Sequence, residues 1–357
     1  MSRHLAILVW AFTSPALLLS ADQPTNPAIA SVTASVESNL ETEGGQIRQF
    51  AFDGDKATVF VSKQNPGPDA QFTLLLDKSV AAKSIAIATG RADGSDRLDA
   101  GLLEVSEDGK AFEMLARFTE GAARGEPQGR QIRALRVRPD AVVEHPLVIS
   151  EIAIDSDPAV VCFKYPIEFT VDVSDAPEIR EWAEKVARIC ERAYPMINEE
   201  LKSDGFKPPH QVTMTLKKSY RGVAEAGGGR ITGSVKFFTD HPDDVGAMVH
   251  ETAHIVQNYR RRGNPGWLVE GVADYVRFFK FEPGNLGRID AQRAHYNSSY
   301  RVSAAFLAYV TEKYDKELVL KLNKLMRDGN YRDDVFKELT GKTLEELDEE
   351  WRATLVQ

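Results

Sequence analysis

Cysteine is scarce: two residues, Cys162 and Cys190, in a chain of 357. Two thiolates cannot complete a structural zinc site, so any metal must be held by histidine and carboxylate. They can form one disulfide or remain two buried thiols, and their spacing leaves both open. A basic surplus is also missing. Lys and Arg number 44 against 53 Asp and Glu, a net charge of −9, which argues against a nucleic-acid partner because phosphate binding needs a basic surface. The one basic run, "YRRRG" at 259–263, reads as a complement to a helix C-terminal dipole. Internal repeats and low-complexity tracts are absent. The triple glycine of "GGGRITGSVKFF" lacks the lysine and hydroxyl spacing of a phosphate loop. It reads as a flexible turn or as the approach to an edge strand over roughly 231–238 to which an extended peptide can add.

Long apolar runs are missing too. The first 21 residues combine a positive start, "MSRH", with "LAILVWAF" and "ALLLS", and end on a small residue, Ala21. This is the pattern of an export signal, and Pro15 makes it short for a membrane span. The expectation is a secreted or periplasmic protein whose mature chain starts near Asp22 and has no transmembrane segment. Hydrophobic content of 43% and charged content of 27% are those of a globular protein.

The chain then divides. Residues 22–31 read as a linker. Residues 32–156 hold short β-like runs ("QFTLLLD", "SIAIATG", "LLEVSEDG", "IRALRVRP", "LVISEIAID") between Gly, Asp and Pro, with no amphipathic helix, which predicts an antiparallel, jelly-roll-like β-sandwich. Residues 157–357 mix elements and predict an α+β domain. "KYPIEFTVDV" is a strand. A helix follows, opened by Ser174 or Asp175 with Pro177 in its first turn, burying Ile179, Trp182, Val186 and Ile189. "QVTMTLK" and "RITGSVKFF" are further strands, and everything from 242 onward reads as helical. Thr343 and Glu346 form a capping box.

The chemistry lies in "MVHETAHIVQNYRRRGNPGWLVEGVADYVR", residues 248–277. Pro242, Asp243 and Asp244 suit a helix start. His250 and His254 lie one turn apart, so both imidazoles leave one side of the helix, as two zinc ligands require. Glu251 is displaced around the helix, placed to act on a water as general base. Gly263 ends the helix and Asn264-Pro265 starts another, predicting an antiparallel hairpin. Counted from Arg262, His254 and Glu270 are both eight residues away, and His250 and Asp274 both twelve. Glu270 is the third ligand by this register, with Asp274 accepting from the far N–H of His250, and the reverse assignment is the alternative. Tyr300 is the candidate oxyanion donor, with His295 and Tyr296 behind it.

These segments carry a resemblance. "HETAHIVQ", "GWLVEGVADYVR" and "SYRVSAAFLAYV" resemble, in order and over roughly 160–357, the basic secretory protein family of plants and bacteria, regarded as zinc metallopeptidases. Its members carry HExxH followed by Glu-Gly-x-Ala-Asp-Tyr-x-Arg. The resemblance implies a zincin-like fold, His250 and His254 as metal ligands, Glu251 as base, and Glu270 and Asp274 in the acidic positions of the second motif. This chain departs in being acidic, and its interval from His254 to Glu270 is shorter than in thermolysin-like peptidases. "AFDGDKATVFVS", "VSEDGKAFEML" and "SEIAI" more loosely resemble discoidin, or coagulation-factor type C, and galactose-binding-like modules. That implies a glycan, cell-surface or protein ligand and a structural calcium at Asp53, Asp55, Thr58 and Glu151; an Asp-Gly turn without an ion is the other reading.

Together these lines predict an exported zinc metallopeptidase that hydrolyses peptide bonds of a protein or glycoprotein substrate, with an accessory binding domain. The alternative is a non-catalytic carbohydrate- or cell-surface-binding protein whose metal is structural. Glu251 separates the two, since a structural site needs no base beside its ligands.

Overall fold

A computed structural model describes residues 31–259 and 263–356. The expected signal segment, most of the expected linker, and Arg260, Arg261 and Arg262 of the basic run lie outside the described residues. No helix among those described is long and apolar enough to cross a membrane.

The first part is an antiparallel β-sandwich built from β1 (Ala34–Ser38), β2 (Phe60–Val61), β3 (Phe72–Thr89), β4 (Gly101–Ser106), β5 (Glu113–Arg117), β6 (Ala122–Gly125), β7 (Gln131–Pro139) and β8 (Val148–Asp157). The strand order is β2-β8-β3-β7-β4-β5, with β1 and β6 also on β3. "QFTLLLD" and "SIAIATG", expected as two strands, are the two halves of β3. Its first half pairs with β1 and β7, its second with β6 and β8. A register shift between Ala82 and Ser84 explains the misreading. The buried set runs Phe72, Leu74, Leu76, Val80, Ala82 and then Ile85, Ile87. One extra residue flips which parity faces the core, and a period-two reading sees two segments.

The second part holds β9 (Glu168–Asp172), α1 (Arg180–Glu200), β10 (Gln211–Lys217), β11 (Ala224–Gly227), β12 (Arg230–Ser234), α2 (Val235–Asp240), α3 (Gly246–Gln257), α4 (Gly266–Tyr275), α5 (Tyr300–Lys313), α6 (Leu318–Asp328), α7 (Val335–Thr340) and α8 (Leu344–Thr354). Its sheet runs β11-β12-β10-β9. β9, β10 and β12 are parallel, and β11 is the antiparallel edge. Each part has its own core, one ending at Ile152 and the other beginning at Ile167.

Several expectations are corrected here. A short 3₁₀ turn, Pro177–Ile179, precedes α1, and Asp175 accepts from the Lys218 N–H instead of capping the helix. The buried face of α1 is Ala183, Val186, Ala187, Cys190, Tyr194 and Ile197; Trp182 and Ile189 are only half-buried. "RITGSVKFF" is not one strand: Ser234 Oγ accepts from Phe237 N–H and starts α2. Residues 242–245 lie in a turn before α3, and 282–299 form a long connection without α-helix. α3 ends at Gln257, not at Gly263, because Asn258 takes the left-handed conformation, φ 44°. The Thr343–Glu346 capping box is present. Cys162 and Cys190 are free thiols; burial pushes the Cys190 thiol up to about 12.

Buried polar groups join the two parts. Glu168 of β9 accepts from Thr42 Oγ1 at 2.7 Å and from Arg48 N–H at 3.1 Å, and pairs with Arg48 Nε at 3.2 Å. Ile167 N–H donates to Gln49 Oε1, and Phe169 N–H to Glu191 Oε1, each at 2.9 Å. Glu191 also pairs with Arg188 at 2.9 Å. These side chains seal the β9 edge of the sheet, while the β11 edge stays open.

Two contacts fix the helices that carry the expected site. Arg327 of α6 donates to the carbonyls of Val256 (2.9 Å) and Gln257 (3.3 Å), neutralising the C-terminal end of α3. α4 lies so close to α5 that a Cβ on Gly271 would stand 2.7 Å from Ser303 Cβ. Gly271→Ala is therefore expected to destabilise the protein. Helix propensity favours alanine by about 1 kcal/mol, but overpacking costs about 1–3 kcal/mol, and the obstructing atom sits next to the backbone. A net loss of up to about 2 kcal/mol in urea unfolding is expected. Unchanged or raised stability would mean the two helices are not in this contact.

Candidate active site

α3 is buried on nearly all sides, with His250 and Glu251 each 8% exposed. It packs against β11 on one side and α4 on the other. α4 presents Glu270 and Asp274 one turn apart, and the pairing runs in reverse order along the two helices. His250 Nδ1 lies 2.6 Å from Asp274 Oδ1, and His254 Nε2 lies 3.4 Å from Glu270 Oε2. Glu270 Oε2 is also 3.2 Å from His250 Nε2, and the two Nε2 atoms are 3.1 Å apart.

Proton bookkeeping defines what this cluster wants. Asp274 accepts from His250 Nδ1. Gln257 Nε2 donates to the Val269 carbonyl at 2.9 Å, so its Oε1, 2.7 Å from His254 Nδ1, must accept from that ring. With both Nδ1 atoms protonated, the neutral rings point their Nε2 lone pairs at each other and at a carboxylate oxygen. Three acceptors converge with no proton to share. A cation resolves this, as does a proton on His250 when no cation is bound. Ligands 2.0–2.1 Å from a tetrahedral ion stand about 3.3 Å apart, and the observed separations are 3.1, 3.2 and 3.4 Å. His250, His254 and Glu270 thus fit a tetrahedral metal ion, with Asp274 and Gln257 orienting the rings.

The protein's charges respond to the same crowding. Burial alone would lower the His250 imidazole, but the Asp274 and Glu270 carboxylates bring it up to about 9. Burial would raise the Glu270 carboxyl, and the two imidazoles hold it at about 2. Glu251 makes none of these contacts. Burial pushes its carboxyl above the ordinary glutamate range, and the negative charges of Glu270 and Glu225 push the same way against the two imidazoles.

The cluster opens into a cavity of about 1180 Å³, lined among others by Glu225, the Gly227–Gly229 turn, Glu251, Phe278, Tyr300 and Arg301. Tyr300, the expected oxyanion donor, is 55% exposed at the start of α5, with its ring 6.4 Å from that of His250 at an interplanar angle of 22°. The runners-up are elsewhere. Tyr296 packs edge-on against Trp267, 4.8 Å between centroids, and His295 lies 3.7 Å from Asp348. The expected edge strand over 231–238 is also corrected: β12 is interior, and the edge facing the cavity is β11. The turn joining them is Gly228-Gly229, φ +58° and +76°, the left-handed pair that a tight hairpin needs. Sequence reading missed Gln257, although its position three after His254 on one helix was available. It also missed the cavity wall of Glu225, Phe278 and Arg301, which no local pattern marks.

At the expected calcium positions the turn closes on itself. Thr58 Oγ1 is 2.8 Å from Asp53 Oδ2, and Asp55 N–H donates to Asp53 Oδ1 at 3.0 Å. Burial, with repulsion from Asp55, raises the Asp53 carboxyl, and burial, with repulsion from Asp53, raises that of Glu151. Among the described residues, no three His, Cys, Asp or Glu ligand atoms gather at these positions.

No curated protein matches the chain. Solved structures similar to it include a CBM32 module, CBM32-1, of a family 31 glycoside hydrolase from Clostridium perfringens. It is 12% identical, covering 34% of this chain and 93% of that one at a TM-score of 0.30. The family 32 CBM of C. perfringens NanJ in complex with galactose is 19% identical, covering 34% and 92% at 0.28. A Streptococcus pneumoniae fucose binding module is 14% identical, covering 34% and 91% at 0.29. Residues 169–351, just over half of the chain and the whole of the His-His-Glu cluster with its cavity, match the family described as BSP, peptidase of plants and bacteria, and the chain belongs to that family.

Proposed function

We propose that this is an exported, zinc-dependent peptidase with a zincin-like catalytic domain from about residue 157. The observation that carries the reading is the convergence of His250 Nε2, His254 Nε2 and Glu270 Oε2 at tetrahedral spacing, with both Nδ1 atoms already committed. Three nitrogen and oxygen donors of this kind suit zinc and leave a fourth position for chemistry. When bound there, zinc supplies Lewis acidity and brings the pKa of water toward neutrality. The chain's own residues do the rest. Glu251 takes the proton from the attacking water at its carboxylate and returns it to the departing amine. Tyr300 donates its phenolic proton in a hydrogen bond to the carbonyl oxygen as negative charge develops. Asp274 and Gln257 hold the imidazoles in the required tautomers. The first domain, over about 32–156, attaches the enzyme to a glycan or cell surface; the Asp-Gly-Asp segment at 53–55 and its resemblance to discoidin-like modules support this.

The test is metal analysis of the purified chain beside digestion of a peptide library. About one zinc per chain and cleavage abolished by chelator, restored by added zinc, are expected. Undiminished cleavage in metal-free protein would end the zinc reading.

A further inference from the structure

The two arginines of the cavity wall differ in what they are free to do. Arg277 pairs with Asp244 at 2.5 Å and with Glu282 at 2.6 Å, so its charge is committed. Arg301 is exposed and, among the described residues, has no ion-pair or hydrogen-bond partner. Its guanidinium lies 4.9 Å from the centroid of the Phe278 ring, which Arg277 approaches at 4.6 Å. Phe278 is 2% exposed and stands in the π-helical turn Val276–Phe281 that continues α4. The ring thus gives Arg301 a fixed apolar seat on the wall of the cavity. The same cavity is also lined by Glu225 on β11.

Resting on the peptidase reading, we infer that Arg301 is a specificity-determining residue that selects substrates presenting a carboxylate on the α5 side of the cleft, either an acidic side chain or the C-terminus of the peptide. A guanidinium seated on an aromatic ring offers a planar pair of donors matched to the two oxygens of a carboxylate. An isosteric amide satisfies only part of that fork. Partial exposure limits the gain, so a three- to tenfold preference in kcat/KM is expected for carboxylate over amide, roughly the worth of an exposed to half-shielded ion pair.

The full-length zinc-loaded protein is tested on matched peptides that differ only as Glu, Gln or Lys at each position flanking the cleaved bond. Each is made with a free and with an amidated C-terminus. Wild type is expected to favour Glu over Gln at one position, or the free acid over the amide, and the arm that responds names the source of the carboxylate. The preference should shrink at high salt. In Arg301→Glu it should reverse toward Lys, and in Arg301→Lys it should persist at reduced size. A purely structural role would lower all peptides together and leave the ratios alone. Equal cleavage of Glu and Gln peptides, free and amidated, by wild type overturns the assignment, as does an unchanged ratio in Arg301→Glu. Both outcomes leave the peptidase reading standing. No cleavage of any peptide by the zinc-loaded protein overturns both.

Discussion

Glu251→Gln is expected to retain its metal and lose turnover by about 10²–10⁴-fold, the contribution of a positioned acid–base group. Glutamine keeps the shape of glutamate, and Glu251 contacts neither imidazole nor Glu270, so zinc content and melting temperature should stay near wild type. The pH profile adds an independent reading. Activity requires the deprotonated carboxylate, so kcat/KM should rise with pH through the Glu251 titration. Burial and the neighbouring charges of Glu270 and Glu225 place that titration above the ordinary glutamate range, while a bound cation would draw it down. The acid limb marks their balance. It should vanish from whatever activity Glu251→Gln retains. Normal cleavage by this variant, or an unaltered acid limb, would remove Glu251 from the mechanism.

Glu270→Ala is expected to be as severe by another route. It removes one of three ligands, and two imidazoles 3.1 Å apart are left with no carboxylate to balance a divalent charge. Zinc should fall from about one per chain to near zero after dialysis, with activity lost to background. Asp274→Asn should be milder, since it weakens the orientation of His250 without removing a ligand; about 10–100-fold in metal affinity or activity is the usual size of such an effect. The pair of variants decides between the two carboxylates. If Asp274→Asn abolished zinc binding and Glu270→Ala spared it, the roles would be exchanged.

The parts of this arrangement that could be read from the sequence are those that local geometry dictates. Two residues four apart on a helix share a face whatever surrounds them, and equal counts from a turn bring positions side by side. That is why 250 with 274 and 254 with 270 can be paired on paper. Only the end of the first helix differs from that reading. Asn258, in a left-handed conformation that asparagine tolerates, ends α3 five residues before Gly263. Strand assignments failed where one residue changes the pattern. The shift after Ala82 reverses the buried parity of β3, and Ser234 turns an apparent strand into a strand and a helix. What separates Tyr300 from Tyr296 and His295 is not local, because their places depend on how the irregular connection 282–299 delivers α5 to the cavity. Arg301 and Glu225 were invisible for the same reason: long-range packing alone makes them neighbours of the site.

The polar seam at β9 has a mechanical consequence. Glu168 and Glu191 are buried, 6% and 8% exposed, and Arg48, from a short 3₁₀ turn of the first domain, serves both. Swinging the halves apart would take Arg48 from the buried Glu168 and leave Glu191 with Arg188 alone, at a cost of several kcal/mol. The halves therefore turn as one body. A ligand held by the first sandwich would therefore also fix the compass bearing of the cleft.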